Sequence, residues 1–189
     1  MRRGAIAAIA TLVVLGHVRS AAALGPWDEL RRPIDLPSVG SGQACPVSQV
    51  DQSVDWDSTG IFGGSGIGRG PVYAGLGETE PPGDLFVDAQ GDKPNWLGGK
   101  LFWYVDPSYE GLALIRGRRL DGRGRLRFAT ARQSERGLRV KRHSDTTWQG
   151  QPDGSRGVPS GVLVRSGGCY GVQVDGASFS NTIVFTVTP

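Results

Sequence analysis

The sequence predicts an all-β fold: an antiparallel β-sandwich of about eight or nine short strands behind an extended N-terminal arm, with a small β-barrel as the alternative. Three observations predict it. Beyond Pro71, short apolar runs rich in Val, Ile, Leu, Tyr and Phe recur, each too short for a helix. Turn dipeptides separate them: Asp106-Pro107, Asp121-Gly122, Asp153-Gly154, Gly167-Gly168 and Asp175-Gly176. The 189 residues include 30 Gly and 12 Pro without a collagen period, and no segment holds a helical period.

Residues Met1 to Ala23 read as a secretory signal: Arg2 and Arg3, then an apolar run from Ala5 to Leu15, then the small residues Ser20 to Ala23. The run is well short of the roughly 20 residues of a bilayer span. A mature chain starting near Leu24 is therefore expected outside the cytoplasm, secreted or associated with the cell envelope, with no membrane span. From Leu24 to Gly70, Pro26, Pro33 and Pro37 and then a crowd of glycines from Gly60 to Gly70 predict an extended arm and a glycine-rich loop.

The sandwich domain then spans residues 71–189. Strands are expected at Val72 to Leu76, Asp84 to Asp88, Lys100 to Val105, Leu112 to Arg118, Arg125 to Ala129, Leu138 to Lys141, Val162 to Arg165, Tyr170 to Val174 and Ile183 to Val187. In the penultimate run Tyr170, Val172 and Val174 should face inward, with Gly171, Gln173 and Asp175 outward. Cys45 and Cys169 are an even pair in an exported chain, which makes an intramolecular disulfide the expectation. Trp103 lies mid-strand between an early and a late Cys, so the sandwich is expected to be immunoglobulin-like; Cys45 falls ahead of the first clear strand, outside the true immunoglobulin pattern.

Several segments together carry a resemblance: Ala44-Cys45-Pro46-Val47-Ser48, Gly66 to Tyr73, Leu101 to Tyr109, Leu114 to Gly122, Gly168-Cys169-Tyr170 through Val174-Asp175-Gly176, Phe179-Ser180 and Ile183-Val184-Phe185. Over roughly residues 44–187 the chain resembles a group of uncharacterised exported proteins of high-GC bacteria. That resemblance implies export and a sandwich fold, and brings no activity with it.

Catalytic chemistry finds little support in the residues. His17 leaves with the signal, so His143 is the one remaining imidazole, and the run His143-Ser144-Asp145 is contiguous where triads converge from separate segments. The glycine-rich loop fits neither G-x-G-x-x-G nor a P-loop, and strand-like residues follow it. Asp55-Trp56-Asp57-Ser58-Thr59-Gly60 opens like a calcium loop, but Gly66 stands where the bidentate Glu belongs. Asp84, Asp88, Asp106 and Glu110 are the acids a glycosidase pair would draw on, and Trp27, Trp56, Trp96 and Trp148 could stack on sugar rings. The reading is non-enzymatic, with no catalytic residue, metal or cofactor assigned.

Charge is what rises above background. Arg2, Arg3 and Arg19 lie in the signal, so the formal charge of +3 falls to zero in the mature chain. Residues 24–110 carry 13 acids and 5 bases, whereas residues 111–143 carry 2 acids and 11 bases. Arg116, Arg118, Arg119, Arg125, Arg127, Arg139 and Lys141 are expected to form a ladder on one sheet. Such a face would bind an anionic envelope polymer or an acidic protein surface, unless the acidic arm covers it. No aromatic residues interleave as nucleic-acid stacking requires. The other reading is an extracellular carbohydrate-binding or carbohydrate-active protein.

Overall fold

In a computed structural model the described residues are 24–59, 64–77, 82–91, 93–129, 134–142 and 153–189. Residues 1–23, the expected signal, together with Gly60, Gly63, His143-Ser144-Asp145 and Trp148, lie outside them.

The strands are β1 (Gly66–Ile67), β2 (Val72–Gly75), β3 (Asp84–Phe86), β4 (Asp88–Ala89), β5 (Leu97–Val105), β6 (Ala113–Arg119), β7 (Arg127–Ala129), β8 (Ser134–Glu135), β9 (Gly137–Val140), β10 (Arg156–Val164), β11 (Gly168–Gly176) and β12 (Ser180–Thr188). They form two packed sheets. One runs β1-β2-β5-β10-β7-β8, with β4 also beside β5; the other runs β3-β12-β11-β6-β9. All pairings are antiparallel except β3 with β12. The all-β sandwich expected from the sequence is therefore the fold.

Alternation decides what fills the space between the sheets. Trp103 and Phe128 from one inner face meet with ring centroids 6.2 Å apart. Tyr170 and Phe185 stack at 6.4 Å on the other. Ile115, Val172, Val174 and Ile183 complete this dry interior. Its few polar atoms are paired: Trp103 Nε1 donates to Ser160 Oγ at 3.0 Å, and Tyr170 OH to the Ser166 carbonyl at 2.8 Å.

Three of the departures from the expected elements shape the layers. The Asp84 to Asp88 run is split: β3 joins one sheet, Val87 turns inward, and β4 joins the other, so one short segment crosses between layers. The strand expected at Val162 to Arg165 begins six residues earlier, at Arg156. Gly157, Pro159 and Gly161 hide it in the sequence. Pro159 is tolerated because β7 pairs only with Gly161 to Leu163, leaving the β7 side of β10 open at the proline. Finally, Gly66–Ile67 is a strand inside the segment expected to be arm and loop. Gly66 is required there, since a Cβ would sit 2.7 Å from the Trp56 ring that packs over it.

The arm makes a third layer over the outer face of the five-stranded sheet. The short helix α1 (Pro26–Glu29) opens it. Leu36 then buries against Leu120, Cys169 and Val184. Val39 N donates to Leu120 O and Ser48 N to Val184 O, both at 2.9 Å. The expected Cys45–Cys169 disulfide is present, with Cα atoms 5.4 Å apart. Gln173 and Asp175 do point outward as alternation demands, yet they are 3% and 0% exposed because the arm lies over them. Among the described residues no helix is long and apolar enough to cross a membrane.

Candidate functional site

The seven basic residues expected on one sheet are divided among four environments. β6 turns Arg116 and Arg118 to the outer face, under the arm. Arg116 Nη2 donates to Asp175 Oδ2 at 2.6 Å and to the Arg32 carbonyl at 2.5 Å. Arg118 donates to the carbonyls of Leu36, Pro37 and Arg119 at 2.8, 3.2 and 3.0 Å. Gln173 adds a two-way clasp: its Nε2 donates to Pro33 O at 3.1 Å and its Oε1 accepts from Asp35 N at 2.6 Å. The buried Asp175 also accepts from Gln173 Nε2 and Ser180 Oγ, and Arg32 lies 3.6 Å from it. The arm thus covers these arginines chiefly through its main-chain carbonyls, with Asp175 of the sheet as the carboxylate of Arg116. Its own acids play no such part.

Arg119 closes the next turn. Its Nε donates to Asp121 Oδ1 at 2.5 Å and its Nη1 to Ser166 Oγ at 2.7 Å. The Arg119 hydrogen bond holds the Asp121 carboxyl below the usual carboxylate range, against the opposing effect of partial burial. A depressed carboxylate stabilises the fold above its unfolded value of 3.8, and that contribution is lost as pH falls through the lower folded value. Asp121→Asn should therefore lower the urea midpoint at pH 7, by an equivalent of about 1 kcal/mol or less, and lower it by less at pH 3, below the unfolded value. Urea unfolding at the two pH values checks this.

Three more, Arg125, Arg139 and Lys141, lie along one border of the five-stranded sheet. β9 is the outer strand there, with Arg139 opposite Leu114, and Arg125 continues the border as a bridge to Arg118. Arg125, Arg139 and Lys141 are exposed, and Arg123, Arg136 and Arg142 stand exposed beside them. From Ala113 to Arg118 the border extends about 17 Å. Arg139 is steadied by Trp27 of α1, its guanidinium carbon 5.7 Å from the ring centroid. Strand parity in the sequence does not point to Arg123, Arg136 and Arg142, because these three stand at strand ends and turns.

Arg127 belongs to the other sheet. It pairs with Leu163 of β10 and, together with Arg165, packs on Trp96 at 5.4 and 4.2 Å from the ring centroid. The sequence shows no link between these three residues, which long-range strand pairing alone brings together.

Asp88 and Asp106, two of the carboxylate candidates, do not converge. β5 separates Asp88, paired with Gly98, from Asp106, just past Val105, by about 25 Å. Asp106 caps its own turn by accepting from Ser108 N at 2.9 Å. Asp55 and Asp57 flank Trp56 at the 3-10 turn Trp56–Thr59. Trp56 is packed edge-on against Tyr73, centroids 5.1 Å apart. Trp27, Trp56 and Trp96 each serve a different neighbourhood and form no common platform. No family model, curated protein or solved structure matches the chain.

Proposed function

We propose that the protein is an exported, non-enzymatic interaction module that binds an anionic cell-envelope polymer along its basic border. The observation carrying this reading is the group of six exposed cations, with Arg125 and Arg139 on one sheet edge and Arg123, Arg136, Lys141 and Arg142 at the adjoining strand ends and turns. Arg116, Arg118 and Arg119 hold the molecule together and are not available to a partner, so the contact surface moves from the sheet face to its edge. A group spread along a border suits an extended polyanion, because successive charges of the chain can meet successive cations. The disulfide and the absence of a membrane-crossing helix among the described residues are compatible with a soluble protein acting outside the cytoplasm. Positive residues also guard edge strands against pairing with other sheets, so the same group keeps β9 from self-association.

Dextran sulfate serves as a polyanion of defined charge. Immobilised dextran sulfate should retain the protein at low salt and release it as ionic strength screens the border. Changing the six cations to Ser should weaken retention at least about tenfold without moving the melting temperature, because exposed charges contribute little to stability. Unchanged retention by that variant would remove the proposal.

A further inference from the structure

On the outer face of the seven-stranded sheet we infer a second binding site, one that takes the carboxylate groups of an acidic polysaccharide between Arg127, Arg165 and Lys100. It is built from residues other than the basic border and stands or falls separately.

The two guanidiniums are the anchor. Both pack on one indole, Trp96, and neither has a carboxylate partner among the described residues. Arg165 spends one donor on the Asn95 carbonyl at 3.0 Å. Arg127 makes no hydrogen bond there, and its Nε is enclosed without an acceptor. Stacking on an aromatic ring fixes a guanidinium plane and leaves its N–H edge free, which is the geometry that grips an oxyanion in two-pronged fashion.

The surface beside the anchor fits a chain of rings. Across the sheet, Arg127 stands opposite Leu163 and Leu163 opposite Gly98; one row further, Ala129 stands opposite Gly161 and Gly161 opposite Lys100. Beside the anchor, and lined by Lys100 but not by the two arginines, two adjoining hollows of about 600 and about 580 Å³ share Leu76, Gly77, Lys100, Ala129 and Gly161; the first reaches Leu163 next to Arg127 and has Asp88 at its other side. Glycine and alanine leave a shallow floor against which flat apolar ring faces can lie. Lys100, exposed at the far side, is about 12 Å from Arg127 between Cα atoms by sheet spacing, so a ligand carrying repeated charges is held at two points. Arg165 at 4.2 Å already covers the Trp96 ring. That denies the ring to nucleobases and favours a sugar acid over a single-stranded nucleic acid.

Calorimetric titration of the protein with oligogalacturonate, neutral dextran oligosaccharide, inorganic sulfate and oligothymidylate tests the assignment. Oligogalacturonate should bind at least about tenfold more tightly than the other three. Arg127→Gln with Arg165→Gln should cost at least about tenfold in that affinity, whereas the six-residue border variant should keep it within about threefold. Arg127→Lys with Arg165→Lys keeps the charges but not the planar forks; it should weaken binding similarly and decides the matter if the Gln variant folds poorly. Equal binding of dextran, sulfate or oligothymidylate, or unaltered binding by the Lys variant, would overturn the site.

Discussion

Asp175→Ala should lower the unfolding free energy by about 3–5 kcal/mol, the usual consequence of removing one partner from a buried ion pair. The carboxylate is 0% exposed and receives Arg116 at 2.6 Å, with Arg32 at 3.6 Å. Without it two guanidiniums, the Gln173 amide and the Ser180 hydroxyl lose their shared acceptor. The arm should loosen with it, because Arg116 and Gln173 also hold the Arg32 and Pro33 carbonyls. Trypsin should then cut after Arg31 faster under native conditions, while chemical denaturation reports the loss of stability. If neither changes, the disulfide and Leu36 alone anchor the arm.

Replacing Cys45 and Cys169 with Ser should have an effect of similar size. The bond closes a loop of 124 positions, for which the chain-entropy argument gives about 4–5 kcal/mol of stabilisation. Urea unfolding of the variant should match that of the reduced wild type, and reductant should leave the variant unaffected. Either loss is a large part of the 5–15 kcal/mol that typically holds a domain together. The two should not add fully, since Cys45 and Asp175 fasten the same segment.

Much of the sandwich was legible because its signals are local. Alternation in Tyr170-Gly171-Val172 and in Ile183 to Val187 places residues on the correct faces, and one even cysteine pair leaves a single pairing. What could not be read depends on distant neighbours. Gln173 and Asp175 sit at outward positions in any strand pattern, and only the arm crossing above them makes them buried. The basic ladder was legible as composition but not as a surface. Arg116 and Arg118 find arm carbonyls some eighty residues away in sequence, while Arg127 leaves for the opposite sheet after the bridge at Arg125. The Trp96 cluster joins residues 96, 127 and 165 through three strands, a juxtaposition set by register rather than by any motif.

Because Arg116, Arg118 and Gln173 take hold of the carbonyls of residues 32, 33, 36 and 37, the fastening is blind to the identity of the residues fastened. Every residue type offers the same carbonyl oxygen. Pro33, Ile34, Asp35, Pro37 and Ser38 are all exposed, so their side chains are spare. The segment can serve as a display cassette, open to new epitopes or affinity peptides so long as Arg32 and Leu36 keep their places and the backbone stays extended.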